Sequence, residues 1–273
     1  MKIIDNINDL RQELKQHNHT IGFVPTMGAL HNGHLSLITK ARKINKIIVV
    51  SIFVNPTQFL VGEDLNKYPN NMEKDIAICQ NANVDILFTP NINMMYGIDE
   101  VLIKAPALRS FTLEGERRPE HFDGVLRIVL KLFNIVNPTN AYFGKKDAQQ
   151  LSLIKQMVKD LFLDINIIEC EIIREKDGLA MSSRNIYLSK DERQLALNIS
   201  KSLNSAKKSI SNSNTETKKI IDTMTKDLSN LDIEYITIVN RKFEEINKTE
   251  IDNTIILVAV KVGKTRLIDN LWI

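Results

Sequence analysis

The sequence of 273 residues has little cysteine: Cys79 and Cys170 are the only two. They stand far apart, in no metal-binding spacing, and they suit a reducing compartment and a fold without a disulfide framework. Charge of one sign is scarce as well. The net charge is +3 at pH 7, too small by itself to argue for nucleic acid or an acidic membrane surface. No stretch approaches the roughly 20 apolar residues needed to span a bilayer. Asp5, Asp9 and Glu13 interrupt any apolar run of the kind a signal peptide needs. The expectation is a cytoplasmic protein with neither a membrane nor a nucleic-acid partner. Familiar catalytic signatures are missing too. There is no Walker A sequence, and Ser182 and Ser183 lack the G-x-S-x-G elbow of a hydrolase nucleophile. Glu114, Asp123 and Asp75 are candidate acids, but no carboxylate pair has a spacing that fixes a glycosidase or protease mechanism.

What is present is an ordinary globular composition, 43% apolar and 25% charged, arranged in alternating periods. Ile7, Leu10 and Leu14 recur at helical spacing ahead of a strand at 21–25. A helix at 34–44 follows, then the β-branched run 47–54, which suits a central parallel strand covered on both faces. A helix marked by Met72, Ile76 and Cys79, a strand at 84–88, a long helix from Val125 to near Asn137 and a strand at 141–143 continue the pattern. A helix at 147–161 and a strand at 165–173 complete it. This alternation predicts a doubly wound, Rossmann-like parallel α/β sheet, in which ligands bind beyond the carboxyl ends of the strands. After Arg174 the character changes to two helices, 191–210 and about 215–228, and three strands that read as antiparallel. The expected domains are 1–174, α/β, and 175–273, a smaller α+β domain.

Four segments carry unusual polar chemistry. Met27-Gly28-Ala29-Leu30-His31-Asn32-Gly33-His34 turns from a buried strand into a helix start. Such a start offers unpaired N–H groups and a partial positive charge to phosphate, and glycine lets the backbone approach a ligand closely. Two histidines three apart could instead ligate a metal, but no third ligand lies near them in sequence. Asn55 and Gln58, after the central strand, both donate and accept, which suits a polar substrate with hydroxyl and carboxylate groups. Gly144-Lys145-Lys146-Asp147, with Gln150 beyond, again ends a strand and opens a helix; its lysines can neutralise phosphate. Met181-Ser182-Ser183-Arg184 reads as a phosphate clamp behind a glycine-containing hinge at Gly178. A charged loop at 114–124 adds Arg118 and His121 as possible anion holders. Each segment alone could be a polar turn or a capped helix; all four are expected at one sheet edge, and that coincidence points to a nucleotide site.

His31-x-Gly33-His34 together with Met181-Ser182-Ser183-Arg184 resembles the nucleotidyltransferase superfamily that includes the class I aminoacyl-tRNA synthetases. More narrowly, the segments 25–31, 53–59, 143–150 and 177–185 look like the pantoate–β-alanine ligase family, in the right order from about residue 20 to Asn270. The resemblance implies an ATP-dependent condensation of (R)-pantoate with β-alanine through pantoyl adenylate, releasing AMP and pyrophosphate. It implies that His34 is the main catalytic residue, assisted by His31, with Lys146 and Arg184 on phosphate. Met27 to His34, Gly144 to Asp147, Ile173 and Met181 to Arg184 would bind ATP. Gln58 and Gln150 would hold pantoate, Gln58 touching β-alanine as well, and Tyr68, Arg118 and His121 would line the cavity. Magnesium would be held mainly by ATP phosphates, and the chain would form a homodimer through its first domain. Two residues depart from the family's usual pattern, Lys145 and Asn70.

Other classes are weighed beside this one. A different nucleotidyltransferase, acting on a phosphorylated precursor, would need a further cationic pocket. A tRNA-binding relative predicts a basic, aromatic-studded second domain, whereas only Tyr235, Phe243 and Trp272 follow Tyr187. A non-catalytic nucleotide sensor sits poorly with His31, His34, Lys146 and Arg184 all in place.

Overall fold

The computed structural model describes residues 1–60 and 62–273. It forms two compact units, Met1–Lys145 with Gln149–Glu171, and Lys146–Ala148 with Ile172–Ile273.

In the first unit the chain runs β1 (Lys2–Ile4), α1 (Ile7–Lys15), β2 (Ile21–Thr26), α2 (Asn32–Ile44), β3 (Ile47–Ile52), α3 (Met72–Asn81) and β4 (Ile86–Phe88). Three short helices follow, α4 (Ile92–Met95), α5 (Ala107–Ser110) and α6 (Glu114–Arg117), then α7 (His121–Val136), β5 (Asn140–Gly144), α8 (Ala148–Asp160) and β6 (Asn166–Cys170). Six strands, all parallel, pair in the order β1-β4-β3-β2-β5-β6. This is the doubly wound α/β sheet that the alternating periods predict. Every residue of β3 is buried, as a strand covered on both faces requires. Alternate residues serve opposite faces. Val24, Ile48 and Val50 join Ile38 and Ala41 of α2 and Cys79 of α3 in one cluster. Phe23 points the other way, edge-on to Phe133 of α7 at 6.4 Å between centroids, and Phe133 meets Phe143 at 6.2 Å.

Strand order reverses between β2 and β5, since β3 and β4 extend to one side of β2 and β6 to the other. Such a switch point opens a crevice at the carboxyl ends of the strands. A buried polar network ties the end of α2 to β5. Asn45 Nδ2 donates to Tyr142 Oη at 2.7 Å and to the Ala41 carbonyl at 2.9 Å, and Asn140 Nδ2 donates to Asn45 Oδ1 at 2.7 Å. Gly22 makes room for it: a Cβ there would lie 2.6 Å from Asn45 Nδ2.

Two features differ from the sequence expectation. β1 goes unforeseen, because three largely exposed residues at a sheet edge show no period. The charged stretch 114–124 is no solvated loop: it forms α6 and the first turn of α7, with Glu114 and His121 buried.

The second unit contains α9 (Lys190–Ser211), α10 (Thr217–Asp227) and the antiparallel strands β7 (Asp232–Asn240), β8 (Thr254–Val262) and β9 (Thr265–Trp272), ordered β7-β8-β9. Ser189 and Glu192 form a reciprocal capping box at the start of α9. Ala196, Ile199 and Leu203 of α9 and Ile220 and Met224 of α10 pack on Ile256, Val258 and Val260 of β8.

Candidate active site

Three of the predicted segments emerge side by side at the carboxyl ends of β3, β2 and β5. After β2 the chain makes a tight turn. Thr26 Oγ1 donates to the Ser51 carbonyl at 2.7 Å and accepts from the Gly28 N–H at 3.2 Å. Gly28 has φ +83° and Ala29 φ +51°, a left-handed pair that costs Ala29 conformational energy. A carboxylate holds it: Asp75 of α3, only 1% exposed, accepts from the N–H groups of Ala29 and Leu30, each at 2.8 Å. A Cβ on Gly28 would lie 3.0 Å from Asp75 Oδ2. Burial raises the Asp75 carboxyl above its ordinary value, against the pull of those two N–H groups. The sequence marks Asp75 only as a candidate acid; structurally it is the clamp on this turn.

The histidines come next. His31 is the N-cap of α2 and its Nδ1 accepts from the Gly33 N–H at 3.1 Å, while His34 Nδ1 accepts from the His31 N–H at 3.3 Å. Together they make a capping box built from two imidazoles, and the rings stack with centroids 4.1 Å apart. Because both Nδ1 atoms accept, each neutral ring carries its proton on Nε2. The first turn of α2 contains no acidic residue, so nothing in it cancels the positive end of the helix.

After β3, a short 3₁₀ turn at Pro56–Gln58 positions Asn55 and Gln58. Asn55 is fully buried. Its Nδ2 donates to Gln58 Oε1 at 3.1 Å and to the Gly124 carbonyl at 3.2 Å. Gln58 Nε2 lies 3.0 Å from Met27 Sδ, joining this segment to the one after β2. The start of α7 presses on the same turn, where a Cβ on Gly124 would come within 2.2 Å of the Thr57 carbonyl oxygen. His121 Nδ1 is 2.7 Å from the Gln58 carbonyl, and Arg118 donates to that carbonyl at 3.2 Å. Arg118 also grips Glu63 with two nitrogens at 2.7 Å each. Burial drives the His121 imidazole down to about 4, so at neutral pH it is uncharged and offers no cation to an anion. Arg118 spends much of its charge on Glu63. Tyr68 packs edge-on against Phe59 at 5.8 Å, and Asn70 beyond it is exposed.

At the end of β5, Gly144 leads to Lys145, which pairs with Glu171 at 2.5 Å. The extra charge of this departure from the family pattern is thus met by a carboxylate. Gln150 is half-buried. Its neighbour Gln149, given no role from the sequence, donates to the Thr112 carbonyl at 2.9 Å and accepts from the Glu114 N–H at 3.1 Å, fastening α6 to α8.

Lys146 and Asp147, 3.8 Å apart, belong to the second unit, where Asn270 Nδ2 donates to the Lys146 carbonyl at 2.7 Å. Ile173 and Met181 to Arg184 belong to that unit too, so the four segments expected at one sheet edge divide between the two units. Residues 173–181 fold back on themselves, with the Met181 N–H donating to the Ile173 carbonyl at 2.9 Å and Gly178 at the turn with φ +96°. Arg193 of α9 braces this hairpin through Glu175 at 2.6 Å and Asp177 at 2.7 Å. The glycine-containing turn expected as a hinge is tied to α9. Ser182 Oγ then caps a 3₁₀ helix at Ser183–Tyr187 by accepting from the Arg184 N–H at 3.3 Å.

A family model described as pantoate-beta-alanine ligase matches residues 2–272. A pantothenate synthetase of Sulfurimonas denitrificans is 54% identical over 273 residues, covering 100% of both chains. The solved pantothenate synthetase of Thermus thermophilus superposes with a TM-score of 0.95 at 36% identity, covering 99% of each chain. A pantoate-beta-alanine ligase from Francisella tularensis, solved in complex with beta-gamma ATP and beta-alanine, has a TM-score of 0.82 at 38% identity, covering 100% of this chain and 97% of its own.

Proposed function

The chain belongs to the pantoate–β-alanine ligase family, and we propose that the residues described above perform its reaction in two steps. As a member it is an ATP-dependent ligase that forms a carbon–nitrogen bond. In the first step a carboxylate oxygen of (R)-pantoate attacks the α-phosphorus of ATP, the bond to the β-phosphate oxygen breaks, and pyrophosphate leaves from pantoyl adenylate. In the second, the amine of β-alanine attacks the activated carbonyl and loses a proton, and AMP departs from the new amide. The nucleophiles are the substrates themselves, so the protein needs no nucleophile of its own. Its task is to align reactants and stabilise phosphate charge.

The observation that carries this reading is the capping box. With both Nδ1 atoms accepting from backbone N–H groups, the Nε2–H groups of His34 and His31 are the ones that would turn to phosphate oxygens as negative charge moves towards pyrophosphate. Lys146 and Arg184 add positive charge to the same phosphates, and Gln58 and Gln150 hold pantoate. We assign 1–174 as the catalytic domain and 175–273 as the domain whose 181–184 segment closes over the nucleotide, excluding water from the adenylate. Among the described residues no three His, Cys, Asp or Glu side chains gather as a metal cage. The Mg²⁺ ion would arrive on the phosphates of ATP. No helix among the described residues is long and apolar enough to cross a membrane; the proposal places the enzyme in the cytoplasm, as a homodimer formed by the first domain. Its mass in solution at two concentrations tests the dimer.

The functional test is ATP turnover with Mg²⁺ in the presence of (R)-pantoate alone, β-alanine alone, and both. Sustained release of AMP and pyrophosphate only with both is expected. Turnover indifferent to pantoate would reject the substrate assignment and leave a nucleotidyltransferase of another kind.

A further inference from the structure

Tyr96, Asn55 and Gln58 form a directed line of hydrogen bonds whose polarity can be worked out atom by atom. Asn55 has two neighbours on one side of its amide, the Gly124 carbonyl at 3.2 Å and Gln58 Oε1 at 3.1 Å. On the other side stand the hydroxyls of Tyr96 at 2.6 Å and Thr57 at 3.0 Å. A main-chain carbonyl only accepts, so the nitrogen of Asn55 must face Gly124; the reverse orientation would set two carbonyl oxygens against each other. Asn55 Oδ1 then has to be satisfied by the two hydroxyls. The second N–H of Asn55 meets Gln58 through its oxygen, so Gln58 turns its own NH₂ the other way, towards Met27 Sδ at 3.0 Å. A thioether is a weak acceptor, and a carboxylate or hydroxyl oxygen brought to this NH₂ would form the stronger bond.

Tyr96 is well held for the purpose. Its ring lies 6.3 Å from that of Phe53, and the Lys131 ammonium sits 4.3 Å from its centroid. Lys131 is itself fixed by Glu100 at 2.7 Å. Burial pushes the phenol above its ordinary value, so the hydroxyl keeps its proton and remains a donor.

We propose that Tyr96 is a positioning residue for the acid substrate: through Asn55 it holds the Gln58 amide with its NH₂ outward, so this point of the site recognises a hydrogen-bond acceptor. Asn55 accordingly acts behind Gln58 and does not itself meet the substrate. This inference rests on the proposed contact between Gln58 and pantoate.

The test is steady-state kinetics of Tyr96→Phe, which keeps the ring and removes only the donor. Loss of one neutral hydrogen bond in the relay should raise KM for pantoate about three- to tenfold, with kcat and the KM for ATP changed less than about twofold. In a Gln58→Ala background the same substitution should add nothing, an outcome that a general loss of packing would not give. Thr57→Val removes the second donor to Asn55 and should shift the same constant in the same direction, which keeps the inference testable if Tyr96→Phe folds poorly. An unchanged pantoate KM in both Tyr96→Phe and Thr57→Val, while Gln58→Ala raises it, would overturn the relay. Equal effects of Tyr96→Phe with and without Gln58 would also overturn it. If Gln58→Ala leaves the pantoate KM untouched, the substrate contact fails first and the relay falls with it.

Discussion

Replacing Asp75 by asparagine probes how the turn ahead of the histidines is held. The carboxylate accepts from two backbone N–H groups, those of Ala29 and Leu30, at 2.8 Å each. An amide offers one oxygen, so one N–H keeps an acceptor and the other confronts an NH₂. A buried donor left without a partner costs about 1–3 kcal/mol. That cost falls on the left-handed pair Gly28 and Ala29 and thus on the entry angle of α2. Carried fully into the adenylation transition state, it lowers kcat/KM for ATP about 5- to 150-fold. The pH dependence follows from the direction of the shift. Burial raises the Asp75 carboxyl in the folded chain, so folding favours its protonated form. On acidification through that range this group adds stability, while its new O–H takes the place of one of the two acceptors and loosens the turn. Activity should fall as stability from this group rises. Asp75→Asn cannot titrate and should lose that acid limb of the profile. The assay is AMP release against ATP concentration from acid to neutral pH, with thermal unfolding in parallel. A variant with wild-type kcat/KM, or one that keeps the acid limb, would refute this account of Asp75.

Further outcomes can be checked alongside. His34→Ala removes a donor from developing phosphate charge and should cut pyrophosphate release about 100- to 1,000-fold, with an unchanged circular dichroism spectrum. Gly22→Ala drives a methyl to 2.6 Å from Asn45 Nδ2 and should cost about 1–3 kcal/mol, read as a Tm lower by several degrees. His121 sits at about 4 in place of its ordinary 6.5, so between those values the unfolded chain binds a proton that the folded chain does not. Stability should therefore decline as pH falls through that window, and His121→Gln should flatten the decline in urea-unfolding midpoints.

The parallel sheet was legible because its signals are local and repeated. The run 47–52 is apolar at every position except Ser51, and it became the fully buried β3. The glycine turn and the two histidines were legible for the same reason, since strand, turn and helix start lie within fourteen residues, 21–34. What escaped was contact at a distance. Nothing near Asp75 announces that it will hold Ala29 and Leu30, 46 and 45 residues away. Tyr96 stands 41 residues from Asn55 and is flanked by no motif. The stretch 114–124 misled because charge density reads as exposure; Glu114 and His121 are instead buried, Glu114 beside Gln149 of α8 and His121 against the turn after β3.

The absence of an acidic residue from the first turn of α2 bears on the cell's supply of energy. Many helices carry their own counter-charge at that end; on the proposed function, the phosphates of ATP would take that role here. Bound nucleotide then acts as a missing piece of the fold, adding stability as RT ln(1 + [L]/Kd). The enzyme's lifetime would follow the nucleotide pool on which it draws, sturdier in a well-fed cell and first to fray in a starved one.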